Sequence, residues 1–291
     1  GRRERLKSIL KDKDYLNNKA TNEVKEVFSN KKIFDTPKPK ELLKHLVDNS
    51  TNCNDIILDF FSGSATTAHA VMQLNSEDNG NRKYIMVQLP EITDEKSEAF
   101  KAGYKNIAEI GKERIRRAGE KIKQEIEEYN SNLKLGEEPK KVPDIGFKAF
   151  KVDDTNIKWY DMENFNEDGQ YSFDDPDSLD FVLGSNDIDI VYEIMLRQND
   201  VPLSENLEVL TDIGNRTYLY ASTYLICLET EITEQMMEKL ALLEPLPIKF
   251  VFRDSAFKDN ISLKDETFRK LRSLIERNSG ESKVSYRVEF I

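Results

Sequence analysis

Asp59, Phe60, Phe61, Ser62, Gly63, Ser64, Ala65, Thr66 and Thr67 are the stretch whose residue types and spacing best suit chemistry. The apolar run Ile56-Ile57-Leu58 ends in an acid, a Gly/Ser loop breaks the run, and a helix-like segment through Ala68, His69 and Ala70 follows. Small side chains at Gly63, Ser64 and Ala65 let the backbone approach a ligand closely. The N–H groups of a helix start face that ligand, and Asp59 at the strand end accepts hydrogen bonds or faces a cation. Such an arrangement suits a cofactor pocket. Two other readings stay open: Gly63-x-Ala65-x-x-Ala68 is a loose form of the dinucleotide fingerprint, and strand-to-helix turns also use small residues for packing.

A second motif lies upstream. Phe34-Asp35-Thr36-Pro37-Lys38-Pro39 precedes Leu42, Leu43, Leu46 and Val47, which are apolar at helical spacing. The two prolines fix an extended backbone around Lys38 and leave it displayed.

Taken together, Phe-x-x-Pro-Lys-Pro, a helix and then Asp-x-Phe-x-Gly-Ser-x-Thr-Thr resemble motifs X and I of the S-adenosylmethionine-dependent amino-methyltransferases of DNA in the permuted beta order. Neighbouring text narrows the resemblance. Asn18-Lys19-Ala20-Thr21, Thr67 to Met72, Arg82 to Glu91 and Asp144-Ile145-Gly146-Phe147-Lys148 are similar to the modification (Mod) subunits of type III restriction-modification systems. The likeness runs over most of the chain, most specifically over residues 15 to 160.

The resemblance implies an S-adenosylmethionine pocket. Lys38 and Pro39 form its motif X wall, with Phe34 close by. Asp59, Phe60 and Phe61 lie along the methionine and adenosine portions, and Gly63, Ser64, Ala65, Thr66 and Thr67 supply the tight loop and helix start. The ribose falls to the end of the next strand, at Gln88 or nearby Glu91; an amide reaches both hydroxyls but adds no charge. Ala65 replaces the more common glycine, a change that is tolerable if the backbone there is not left-handed.

The family also needs an Asp/Asn-Pro-Pro-Tyr/Phe loop, whose acid and carbonyl accept hydrogen bonds from the target amine while the aromatic ring stacks on the flipped base. No such tetrapeptide occurs; the nearest strings are Asp174-Asp175-Pro176-Asp177 and Glu244-Pro245-Leu246-Pro247. In the beta order that loop precedes motif X. The chain, opening about thirty residues before it, therefore reads as a C-terminal fragment that cannot methylate DNA by itself. The resemblance implies DNA as the substrate of the complete enzyme, and the restriction (Res) subunit and a second Mod copy as its protein partners.

Composition agrees with a cytoplasmic enzyme piece. The 291 residues are 38% hydrophobic and 33% charged, enough for a sizeable core and two domains. No apolar run approaches a membrane span, and no signal-peptide pattern is present. Cys53 and Cys227 are isolated thiols, which points to a reducing compartment. The two histidines, His45 and His69, sit in no ligand cluster and read as helix-surface or packing residues, so zinc and triad chemistry are disfavoured. Charge is uneven. Residues 1–145 carry 27 Lys/Arg against 25 Asp/Glu, and residues 146–291 carry 16 against 29. An acidic C-terminal half makes a poor DNA platform and suits protein contact or solubility. The basic opening Gly1 to Lys7 reads as a solvated end that could touch phosphates.

Periodicity predicts an α/β chain with a partial Rossmann-like methyltransferase sheet over residues 1–150 and a smaller acidic α/β interaction domain over 151–291. Helical spacing covers Leu6, Ile9 and Leu10, then Val24, Val27 and Phe28, around a polar break at Asn17-Asn18. After them come a helix from about Pro39 to Asp48, a strand Asp55 to Asp59, a helix Thr66 to Leu74 and a strand Tyr84 to Leu89. One long helix is expected over Glu95 to Tyr129, with Arg114, Arg116 and Arg117 on a solvated flank open to DNA phosphates, then a strand-like Ile145 to Val152. Asp161 to Asp180 reads as an acidic loop without calcium-site spacing. Beyond it stand helix Ile188–Gln198, a hairpin Thr217–Ala221 and Thr223–Leu228, helix Thr233–Leu243, strand Ile248–Arg253, helix Leu263–Asn278 and a sheet-paired strand Ser285–Ile291. Asp254 and Asp259 suit turns and caps better than acid catalysis.

Three functions fit: the cofactor-binding and C-terminal part of an adenine-N6 DNA methyltransferase, a protein-interaction module with a vestigial pocket, and a nucleotide-cofactor oxidoreductase fragment. The last leaves Pro37-Lys38-Pro39 unexplained. A P-loop is poorer still, because no lysine precedes Thr66-Thr67.

Overall fold

The computed structural model describes residues 13–134, 136–158, 176–258, 260–279 and 285–291. The helix expected around Leu6, the basic opening, most of the acidic loop and Asp259 lie outside them. The chain divides into two compact units, Gly1–Ala149 and Phe150–Ile291.

The first unit runs α1 (Asn17–Val27), α2 (Lys40–Ser50), β1 (Ile56–Asp59), α3 (Thr66–Asp78), β2 (Lys83–Met86), α4 (Glu98–Lys101) and α5 (Ile107–Ser131). β1 and β2 pair in parallel, Ile56 opposite Lys83 and Asp59 opposite Met86, so β1-α3-β2 is one crossover unit. α3 is buried along nearly its whole length, from Thr66 to Ser76, and packs between α2 and α5. Its far end is locked by Arg82, whose guanidinium pairs with Asp78 at 2.8 Å and donates to Thr51 Oγ1 at 3.1 Å. One sheet face meets these helices; Ile56, Leu58, Ile85 and Val87 on the other face are exposed.

Two expectations for this unit are corrected. The long helix is broken: Gly103 at φ +96° ends the short α4, and the Asn106 side chain accepts the Glu109 N–H at 3.0 Å to start α5 afresh. Ile145 to Val152 forms no strand. Val142, Ile145 and Phe147 pack on the core, and a Cβ at Gly119 would stand 3.0 Å from that of Ile145, so residues 142–147 rest on α5, while Phe150, in the second unit, meets the Tyr192 ring edge-on.

The second unit runs α6 (Asp187–Gln198), β3 (Leu207–Val209), β4 (Thr217–Tyr220), β5 (Tyr224–Cys227), α7 (Glu234–Leu240), β6 (Lys249–Phe252), α8 (Ile261–Ser279) and β7 (Arg287–Phe290). Among the described residues its five strands lie in chain order, antiparallel from β3 to β5 and parallel from β5 to β7. Strand alternation builds two cores. Tyr224, Ile226 and Val251 pack with Ile190, Val191 and Ile194 of α6. Leu225, Phe250 and Phe252 pack on the opposite face with Met237, Leu271 and Ile275 of α7 and α8. The hairpin and the paired last strand agree with expectation, and β3 is an added edge.

Ion pairs tie this unit's entry to its sheet. Arg216 grips Asp187 through Nε at 2.8 Å and Nη2 at 2.5 Å, and Asp177 through Nη1 at 2.8 Å. Arg253, fully buried, pairs with Asp177 and Asp180. Asp254 opens a short turn, Asp254–Phe257, without capping it, and pairs with Lys264.

Candidate cofactor-binding site

The loop between β1 and α3 is wired from both sides. Asp59 at the end of β1 accepts the Phe61 N–H on Oδ1 at 3.2 Å and the Thr67 hydroxyl on Oδ2 at 2.5 Å. The acid thus ties the strand end to the first turn of the helix. Ser62 N–H donates to the Val87 carbonyl at 3.2 Å, and Gly63 N–H donates to Gln88 Oε1 at 2.7 Å. Gln88 spends its other end on the Leu89 carbonyl at 3.1 Å, so it is a latch for the loop, whereas Glu91 is exposed.

Gly63 at φ +51° needs glycine's freedom, and a Cβ there would meet the Phe34 ring at 3.4 Å. Phe34 therefore abuts the loop. Lys38 is exposed between buried Pro37 and Pro39, the display that the two prolines predict. Phe60 and Phe61 are 62% and 81% exposed, their ring centroids 5.1 Å apart. With Leu58, Val87 and Leu89 they give an open apolar ledge above the strand ends. Below it α3 starts with no side-chain cap, and a helix start leaves first-turn N–H groups without intrahelical partners.

Aromatic ledge, displayed lysine, acid and uncapped helix start suit a flat heterocycle joined to a polar, charged tail. A small cavity of about 50 Å³ beside Glu23, Lys40 and His69 has room for water and not for a nucleoside. Among the described residues no group of three His, Cys, Asp or Glu could hold a metal, and no helix is long and apolar enough to cross a membrane.

One condition set by the sequence is not met here, and one expectation fails. Ala65 is left-handed, at φ 58° and ψ 40°, so its methyl is carried at a cost. Arg114 is no solvated flank: it is fully buried and donates from Nη1 to Ser64 Oγ at 2.9 Å and to Thr66 Oγ1 at 2.6 Å. Arg117 lies over the Phe28 ring at 5.0 Å, and Arg116 is exposed. The signal for Arg114 was its phase, since Ile110, Arg114, Ala118 and Ile122 recur every four residues along the buried face of α5.

His69, one turn into α3, is a packing residue as expected, but an unusual one. Its Nδ1 is buried without a hydrogen-bond partner. Burial first, then the charges of Arg114, Lys40 and Lys121, hold its pKa well below 6.5. His45 sits beside the Tyr15 ring at 5.7 Å.

A family model described as DNA methylase matches residues 3–106. Among curated proteins the chain is similar to the Mod subunit of the type III restriction-modification enzyme StyLTI of Salmonella typhimurium. The two are 36% identical over 59% of this chain and 23% of the relative. It is 41% identical to the EcoPI Mod subunit of Escherichia phage P1 over 38% of this chain and 17% of that one. The type II methyltransferase M.KpnI of Klebsiella pneumoniae is 35% identical over 38% and 26%. The chain thus spans about a quarter or less of the length of these curated relatives.

Proposed function

We propose, from the match of residues 3–106 to a family model described as DNA methylase, that this chain is the methyl-donor part of an adenine-N6 DNA methyltransferase of type III restriction-modification kind, binding S-adenosylmethionine at the ends of β1 and β2. The observation that carries the reading is the wired loop: Asp59 holds Thr67, Gln88 holds Gly63, and the exposed Phe60 and Phe61 flank an uncapped helix start.

Each residue then has a task. Phe60 and Phe61 offer apolar faces to the adenine, and Phe34, Lys38 and Pro39 form the opposite wall. Asp59 places negative charge beside a ligand that carries a sulfonium and an ammonium. Gly63, Ser64, Ala65, Thr66 and Thr67 shape the close approach. With Gln88 committed to the loop, the ribose hydroxyls fall to Glu91. The donor, when bound, supplies an electrophilic methyl for in-line attack by an exocyclic amine. The work of these residues is to fix its position.

The Asp/Asn-Pro-Pro-Tyr/Phe acceptor is not in the sequence, so this chain by itself holds the donor and transfers nothing. DNA, a restriction subunit and a second Mod copy are the partners of the whole assembly, in a cytoplasmic setting. The second unit, which accounts for the whole of the net charge of −11, is suited to protein contact more than to DNA.

Calorimetric titration with S-adenosylmethionine and S-adenosylhomocysteine, with NAD as control, tests the reading. The expected result is binding of the two methionine-derived ligands over NAD, abolished in Asp59→Ala. A folded chain that binds neither overturns it and leaves an assembly module, the alternative that the strained Ala65 and the engaged Gln88 favour.

A further inference from the structure

Resting on the donor-site reading above, we propose that Gly111 and Arg114 of α5 form a positioning cradle for the donor loop, Gly111 by letting the loop backbone lie on the helix and Arg114 by holding the hydroxyls on either side of Ala65. Neither residue lies within the stretch that matches the family model.

Gly111 and Arg114 are three apart and so share a helix face. A Cβ at Gly111 would stand 3.3 Å from the Gly63 carbonyl oxygen and 3.5 Å from the Ala65 Cβ. The loop backbone is therefore in contact with α5. One turn on, a single guanidinium nitrogen of Arg114 holds Ser64 at 2.9 Å and Thr66 at 2.6 Å, the two residues that bracket the left-handed Ala65. A residue that resists this conformation is clamped on both sides.

Folding does not account for the arginine. Its Nε and Nη2 are buried with no hydrogen-bond partner, and hydroxyls alone receive its bonds. Burying a cation on two neutral oxygens costs stability that an apolar side chain of the same length would not. The cost registers in its pKa, pulled down to about 10 by burial against the opposing charge of Glu23. What arginine supplies, and an apolar chain does not, is a rigid planar donor set directed at the loop. Glu23 in turn accepts the Lys40 N–H at 2.9 Å, directly after Pro37-Lys38-Pro39. The charge that faces Arg114 thus also anchors the other wall of the site.

The test uses the 291-residue chain. Amide hydrogen exchange of residues 62–67 is read without ligand, and affinity for S-adenosylmethionine and S-adenosylhomocysteine is read by calorimetry. Arg114→Met is expected to speed exchange in that loop and weaken binding by about tenfold each, while its thermal midpoint stays at or above that of the parent chain. Arg114→Lys restores part of both losses, Gly111→Ala weakens binding several-fold by pressing on Gly63, and the exposed Arg116→Met changes neither. Unchanged loop exchange in Arg114→Met overturns the cradle. A lowered midpoint with no rescue by lysine also overturns it, because the arginine is then merely structural. If the parent chain binds neither ligand, the donor-site reading fails, and faster loop exchange in Arg114→Met still upholds the cradle.

Discussion

Among the described residues each unit buries one arginine completely, and the two are partnered in opposite ways. Arg253 in the second unit meets two carboxylates, Asp177 and Asp180, with Ser255 beside its Nε at 2.8 Å and the Phe181 ring 5.1 Å away. Arg114 in the first unit meets two hydroxyls and leaves two nitrogens unpaired. The sheets differ in the same sense. The central strands β4, β5 and β6 of the second unit are covered on both faces, whereas the parallel pair β1 and β2 exposes Ile56, Leu58, Ile85 and Val87. Parallel strands are ordinarily covered on both faces. The second unit completes its interactions internally; the first spends stability on a loop and keeps apolar surface available beside it. Binding belongs where the internal account is left open.

The largest effect that could break this contrast is at Arg253. Arg253→Met leaves Asp180 almost buried without its cation, and removal of one partner from a buried pair costs about 3–5 kcal/mol. Denaturant unfolding followed through exchange in β5 and β6 reads the loss. If Arg253→Met proves no more destabilising than Arg114→Met, the two arginines do the same job and the contrast fails.

Acid separates the units next. Both histidines lie in the first unit, and burial holds the His69 pKa well below 6.5. The unfolded chain therefore binds a proton that the folded unit refuses. Its stability is full above about pH 6.5 and falls below it, at a slope approaching about 1.4 kcal/mol per pH unit. Glu23 works the other way and lower down: burial raises its pKa above 4.5, so the folded unit takes up that proton more readily. In the second unit burial opposes the charge of Asp177, but hydrogen bonds from Arg216 and Arg253 outweigh it and hold the pKa below 3.8. Its contribution survives until the pH falls to that range. Urea melts at about pH 7.5 and about pH 5.5 should weaken the first unit selectively, and His69→Gln should remove most of the difference. Equal weakening of both units would sink the assignment.

What the sequence made legible follows from how local each signal is. Asp59, Gly63 and the Pro37-Lys38-Pro39 segment are backbone statements, set by residues next to one another: Asp59 ends a strand, Gly63 is left-handed, and Lys38 is exposed between buried prolines. Arg114 sits in the run Lys112-Glu113-Arg114-Ile115-Arg116-Arg117, where composition says surface and only helix phase says core. The break before α5 was written in Asn106 and Glu109, an N-cap three residues before an acid, but the apolar period on both sides hid it. β3 spans three residues and owes its existence to pairing with β4, which no local pattern announces. The commitment of Gln88 to Gly63 joins positions 25 apart. Side chains that close such long intervals are decided by the packing of α3 against the sheet.

The smallest expected effect is at Ala65, where opposing terms nearly cancel. A left-handed alanine costs about 1–2 kcal/mol, which glycine relieves. Against this, the methyl is 2% exposed among Met72, Ile115 and Ala118, and its burial is worth about 0.8 kcal/mol. Glycine also frees the unfolded chain by about 0.4–1 kcal/mol. The net change in Ala65→Gly should therefore lie within about 0.8 kcal/mol of zero, read as the shift in urea midpoint of the first unit. This substitution separates two ways of holding the loop. If Ser64 and Thr66 are fixed from α5, a more flexible residue between them is tolerated and loop exchange barely changes. A loss well above about 1 kcal/mol, with faster exchange across residues 62–67, would mean that the alanine methyl and not the guanidinium keeps the loop in place.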